Sequence, residues 1–295
     1  MPKCKFYIVD VFAERKFEGN QLAVFMCDEL LFEAEMQKIA KEMNYSETTF
    51  ITSKENYNIR IFTPEVELPF AGHPTIGTAF VIQQELIKEN VKTLLLNLKI
   101  GPIPVLFKYK SGKPDIIWME QNLPTFGRFF DTDLIAQILN LDESDIDARF
   151  PIQEVSTGGP FIIVPLKTLD ALKGAKIDVE KCFDLMKNIE AKTILIFCPQ
   201  VRNKGNNLSV RVFAHYHGIP EDPATGSGNG CLAAYLVKHQ YFIKNSINIR
   251  VEQGYEVGRP SLLYLKAGED DGGNISVSVG GKVFLAAKGE LSNEK

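Results

Sequence analysis

Residues 221–234 read EDPATGSGNGCLAA: two acids, a proline and three alternating glycines ahead of an apolar run. That composition describes a tight turn opening a helix. The amide N–H groups of such a turn converge at the positive end of a helix dipole, where a carboxylate, a phosphate or a developing oxyanion is favoured. Gly226, Gly228 and Gly230 bring the backbone close to whatever binds there.

The stretch has an echo upstream. Residues 67–80, ELPFAGHPTIGTAF, fall on 221–234 without a gap, and Glu67, Pro69, Gly72 and Ala79 match Glu221, Pro223, Gly226 and Ala233. Arg60-Ile61-Phe62 pairs with Arg211-Val212-Phe213, and 19–24, GNQLAV, resembles 158–163, GGPFII. Matches kept in the same order predict a two-copy internal repeat.

The chain of 295 residues is long enough for one large or two medium domains, and 45% hydrophobic with 24% charged residues is a globular composition. A net charge of −4 argues against a nucleic-acid surface, which needs a basic stripe. With neither an apolar run of spanning length nor a signal-like start, the expectation is a cytoplasmic protein away from the membrane. The five cysteines (4, 27, 182, 198 and 231) are odd in number and form no CxxC, so they read as buried, reduced thiols.

Strand signals at 6–12, 22–26, 46–52 and 58–62 surround an amphipathic helix over 31–43. The segment after Pro74 is apolar on nearly every face, as is 231–238, and such helices belong inside something. Strands at 94–99, 104–108 and 116–119 follow the first; 152–156, 161–165, 193–198, 208–213, 247–253 and 262–266 accompany the second. Residues 121–149 read as a crossover carrying a helix from about 131, and 274–286 as a hairpin turning at Gly280-Gly281. The predicted architecture is α+β: two pseudo-symmetric domains, 1–122 and 123–281, each a curled sheet around a central helix. The final strand, about 282–290, is expected to return to the first domain. Ligands favour the cleft that such a pair encloses.

Few reactive side chains lie near the turns: Glu47, Glu67 and His73 in the first half, Glu221, Asp222 and Ser227 in the second. Proton transfer needs a base and an acid that trade roles near neutral pH, which a buried carboxylate with a histidine can do. Only four histidines are present, and one directly follows the glycine of the first turn. Each candidate also has a plainer reading. A strand glutamate such as Glu47 usually faces solvent, Asp222 before a proline is a good turn former, and Ser227 serves as a helix cap.

The blocks GNQLAV at 19–24, NYSETTFI at 44–51, RIFTPEVELPFAGHPTIGTA at 60–79, RVFAHYHGIPEDPATGSGNGCLAAYL at 211–236 and QGYEVGRPS at 253–261 together resemble the phenazine-biosynthesis PhzF family, end to end. The resemblance implies a diaminopimelate-epimerase-like fold and an isomerase without metal or organic cofactor. It makes Glu47 the residue that shuttles a proton between carbons of a dihydro-hydroxyanthranilate-like ring, with His73 and Asp222 beside the substrate. Gly72, Gly226, Ser227, Gly228 and Asn20 then bind it, the turns holding its carboxylate. The family's habit implies a homodimer.

Thiol-based racemisation, the other branch of the fold, needs a cysteine at each helix start, and this chain has Ala71, His73 and Ser227 there, with Cys231 a turn further on. Residues 226–231 lack the GxGxxG step. His215 and His217 would share one side of a strand but have no third metal ligand in view. The roles of these two and of Arg259 stay open. So do two alternatives: an epimerase using Glu47 and Asp222 as opposed bases, and a non-catalytic binding protein.

Overall fold

The computed structural model describes residues 3–291, which divide into two compact units: the first takes the chain through Met119 and again from Gly280, the second runs Glu120–Val279.

The first unit begins with an antiparallel pair, β1 (Cys4–Val11) and β2 (Asn20–Cys27), joined through Gly19, whose φ of +70° and 2.2 Å approach of a notional Cβ to the Val11 carbonyl exclude any side chain. Helix α1 (Glu33–Met43) crosses over to β3 (Thr48–Ser53), parallel to β2; β4 (Asn58–Phe62) returns antiparallel and carries the short β5 (Glu67–Leu68). Helix α2 (Gly72–Ile82) follows and closes with a π-helical turn at Gln83–Ile87. Strand β6 (Thr93–Leu98) is parallel to β4, and β7 (Gly101–Lys110) and β8 (Lys113–Glu120) extend the sheet. The last strand of the chain, Val283–Glu290, pairs antiparallel with the free side of β1.

The second unit repeats this scheme. Strand β9 (Thr125–Phe129) pairs with β10 (Gln153–Ser156), with α3 (Thr132–Leu139) between them, capped by Asp131. Strand β11 (Pro160–Pro165) is antiparallel to β10 and, after α4 (Leu169–Gly174) and α5 (Val179–Met186), parallel to β12 (Ile194–Cys198). Strand β13 (Leu208–Ala214) carries the short β14 (Ile219–Asp222), as β4 carries β5. Helix α6 (Gly226–Lys238) leads to β15 (Ser246–Gln253), parallel to β13, then β16 (Ser261–Glu269) and β17 (Ile275–Gly281). Both parallel pairs and both short strands fall at equivalent places in the two units, which is the predicted repeat.

Helices α2 and α6 are buried on almost every face, as their all-round apolarity demands. A Cβ on Gly77 would lie 2.6 Å from Leu22 and 2.9 Å from Val11, so glycine there sets how closely α2 approaches β1 and β2. Gly228 gives the same room to the Phe161 ring, 2.9 Å from a notional Cβ.

Three expectations change. Cys4 and Cys27 form a disulfide rather than two reduced thiols: the β1–β2 register sets them directly opposite, with Cα atoms 4.0 Å apart. Cys182, Cys198 and Cys231 are free and buried, and burial pushes each thiol up to about 11. Gly280-Gly281 is not a turn. It lies at the end of β17, where added Cβ atoms would meet Trp118 at 2.6 Å and Phe12 at 2.4 Å, so close packing selects glycine. Finally, 121–149 is not only a crossover, because it contains β9.

Candidate active site

Glu47 sits one residue before β3 rather than within it, following the turn at the end of α1. His73 is the second residue of α2, whose N-cap, Ala71, has no side chain with which to cap the first-turn amides. Together these elements bring Glu47 Oε2 to 3.4 Å from His73 Nε2, with the side chains 16% and 7% exposed. Glu47 Oε2 is itself buried and makes no conventional hydrogen bond among the described residues. Burial pushes the Glu47 carboxyl up to about 7, against a smaller opposing effect of the neighbouring Ser46 side chain. A carboxyl titrating there is present as acid and as base at neutral pH, the condition for moving a proton in both directions.

The wall beside this pair is polar and buried. Ser46 Oγ donates to Asn20 Oδ1 at 3.4 Å, and Asn20 is buried at the start of β2. Thr49 and Thr78 bond hydroxyl to hydroxyl at 2.8 Å, tying β3 to α2, and Thr75 Oγ1 donates to the Ala71 carbonyl at 2.7 Å. Gly72 is buried at the first position of α2. Glu47, His73, Gly72 and Asn20 therefore gather in the first unit.

Asp222, Gly226, Ser227 and Gly228 gather in the second. Asp222 ends β14, and Thr225, the N-cap of α6, donates its hydroxyl to Asp222 Oδ2 in a short hydrogen bond. Ser227 is half-buried in the first turn of α6 between buried Gly226 and Gly228. Two glutamines brace the turn. Gln253 donates to the Asp222 carbonyl at 2.8 Å, and Gln121 donates to the Gly226 carbonyl at 3.0 Å while accepting from Thr157 Oγ1 at 2.5 Å. A Cβ on Gly230 would fall 1.8 Å from Gln121 Oε1, so Gly230 makes room for that brace. Neither glutamine was legible as functional in the sequence. Gln253 does open the block QGYEVGRPS, which was the one available signal.

Glu67 and Glu221, the repeat-matched acids, are tied up by arginines instead. Arg60 grips Glu67 through Nε at 2.7 Å and Nη2 at 2.5 Å, and Arg211 grips Glu221 at 3.0 and 2.8 Å in the same two-pronged way. Each guanidinium also lies over the phenylalanine two residues on, 5.1 Å from the Phe62 ring and 4.7 Å from Phe213. Arg60 and Lys99 hold the Glu67 carboxyl below the usual carboxylate range, the opposite of Glu47. His215 and His217 form a single 3-10 turn, not a strand edge, and burial lowers both imidazoles. Among the described residues no group of three His, Cys, Asp or Glu side chains is arranged to hold a metal ion. Also among them, no helix is long and apolar enough to cross a membrane.

A central helix inside a curled sheet, built twice with an open turn at each helix start, defines the diaminopimelate-epimerase-like class. The hydroxyproline epimerase of Agrobacterium vitis shares this fold at a TM-score of 0.66 and 9% identity, covering 99% of this chain and 91% of that one. The family model for phenazine biosynthesis-like proteins, PhzC-PhzF, matches residues 9–289, and the chain belongs to that family. It is 34% identical over 290 residues to a trans-2,3-dihydro-3-hydroxyanthranilate isomerase of Pseudomonas aeruginosa, spanning 97% of this chain and 98% of the relative. The crystal structure of a Bacillus anthracis PhzF-family protein superposes at a TM-score of 0.89 with 26% identity, covering 99% of this chain and 100% of that one. The protein is an isomerase of this family.

Proposed function

We propose that the protein moves a proton between carbons of a small, carboxylated amino or hydroxy metabolite, with a ring of the trans-2,3-dihydro-3-hydroxyanthranilate type as the first candidate. The observation that carries this reading is the buried Glu47 carboxyl, 3.4 Å from His73 and pushed up to about 7. Glu47 takes the proton from one carbon and returns it to another. His73, beside it, orients the carboxyl and polarises the substrate's amine or hydroxyl, and Asp222 accepts a hydrogen bond from the same substrate. Amides at Gly72 and at 226–228, with Ser227 and Asn20, bind its carboxylate, in keeping with the positive ends of α2 and α6. Because Glu47 supplies the base, the scheme asks for no cofactor. The protein is proposed to work as a cytoplasmic homodimer that does not bind nucleic acid, a reading its net charge of −4 favours.

The test is solvent-deuterium exchange followed by NMR, with trans-2,3-dihydro-3-hydroxyanthranilate and pooled amino and hydroxy acids as candidates. Exchange that disappears in Glu47→Gln supports the assignment, and full exchange in that variant refutes it. Deuterium entering a stereocentre with loss of chirality would instead point to epimerisation.

A further inference from the structure

Gln253 is 1% exposed at the end of β15, and its side chain makes four hydrogen bonds within the second unit. Nε2 donates to the Asp222 carbonyl at 2.8 Å and to Thr225 Oγ1 at 3.1 Å; Oε1 accepts from the Thr225 amide at 3.2 Å and from Asn229 Nδ2 at 2.8 Å. The orientation of this amide is fixed by chemistry. The Asp222 carbonyl can only accept and the Thr225 amide can only donate, so the flipped amide would lose both bonds. With a proton from Gln253 entering Thr225 Oγ1, the Thr225 hydroxyl hydrogen is left to point elsewhere, and it goes to Asp222 Oδ2. Gly254 keeps the glutamine in place: at φ +78° a Cβ would strike the Pro223 carbonyl at 2.4 Å and the Arg259 carbonyl at 2.3 Å, so only glycine lets the strand end tuck under the turn.

We propose that Gln253 and Thr225 are positioning residues that hold Asp222 as a hydrogen-bond acceptor, through a one-way relay running Gln253 Nε2–H to Thr225 Oγ1–H to Asp222 Oδ2. This rests on the reading above, in which Asp222 meets the substrate. The relay's polarity sets a substrate requirement. Asp222 takes a donor, an amine or hydroxyl beside the reacting carbons, and discriminates against analogues carrying an ether or a carbonyl there. It also separates Asp222 from Glu47: Oδ2 of the one accepts from Thr225, while the other exchanges its proton.

The relay is tested by a double-mutant cycle on the binding of 3-hydroxyanthranilate, the aromatic form of the candidate ring, measured by calorimetry, together with crystal structures of the variants. Thr225→Val, nearly isosteric, is expected to weaken binding on the order of tenfold, as for a lost bond to a charged group. Thr225→Ser keeps the hydroxyl and should bind within about twofold of wild type. In an Asp222→Asn background, Thr225→Val should cost less than about twofold, because the relay acts only through Asp222. Asp222 should leave its rotamer in Thr225→Val and keep it in Thr225→Ser. Additive costs in the cycle, or an unmoved Asp222 in Thr225→Val, overturn the relay. Failure of the wild-type protein to bind the probe counts against the proposed substrate class instead, and the variant structures still decide the relay.

Discussion

Glu47 Oε2 and His73 Nε2 face each other at 3.4 Å although they stand on different elements of the chain. The turn after α1 delivers one and the start of α2 the other. Replacing Glu47 with Gln keeps the volume and removes the ionisable proton. The expected loss in kcat/KM for deuterium exchange is about 10²–10⁴-fold, the usual contribution of a general acid–base group. Circular dichroism would confirm that the fold is intact.

The same carboxyl dictates a pH profile. With Glu47 pushed up to about 7, the base form required to start the reaction is lost below neutrality. An acid limb in kcat/KM centred near pH 7 is expected; a limb at the ordinary glutamate value, with exchange still dependent on Glu47, would contradict the buried geometry.

Stability should show the reverse tendency. The folded carboxyl holds its proton more tightly than the unfolded one, whose reference value is 4.5, so the native state loses stability as pH rises from there to about 7 and then levels off. Glu47→Gln removes the penalty. The variant should match wild type near pH 4 and exceed it above pH 7 by at most about 3 kcal/mol, the full worth of a shift of this size. Urea unfolding at the two pH values reads the difference.

The paired arginines make unequal demands. Arg211 is buried and also donates to the Leu172, Lys173 and Ala175 carbonyls, so Arg211→Ala strands a carboxylate and three carbonyls at about 3–5 kcal/mol. Arg60→Ala should cost clearly less, since Arg60 is more exposed and Glu67 keeps Lys99 at 2.5 Å. Denaturant midpoints of the two variants would show the order.

Gly230→Ala should cost about 1–3 kcal/mol, because the new methyl must displace Gln121 and with it the bond to the Gly226 carbonyl. Gly159→Ala meets nothing within 4 Å and should change stability by no more than about 0.5 kcal/mol. Thermal unfolding of the pair tests whether the glycine at 230 serves packing.

Much of this was legible from the chain. Matching Glu67 to Glu221 and Arg60 to Arg211 gave the repeat, and the structure supplies its reason: each arginine clamps the acid on the short strand that precedes a central helix. The all-round apolarity of α2 and α6 announced buried helices. What escaped were features set by distant partners. Cys4 and Cys27 meet only through strand register across 23 positions, which spacing alone does not disclose. Gly280-Gly281 looks like a turn because glycine answers two needs, φ freedom and close approach, and only the Trp118 and Phe12 rings distinguish them. Gln121 and Gln253 reach the second turn from far away in sequence, and a side-chain amide carries no periodic signature.

The pairing of Val283–Glu290 with β1 makes the first unit discontinuous in sequence, with the second unit between its two parts. Strand β1 leaves the ribosome before the second unit does, yet one side of it has no partner until that whole unit has been made. Until then it presents an open edge of amide and carbonyl groups to any passing strand. The second unit, contiguous from Glu120 to Val279, has no such wait. A premature stop codon just after the second unit would therefore injure the half that holds Glu47 and His73, although those residues had been translated long before.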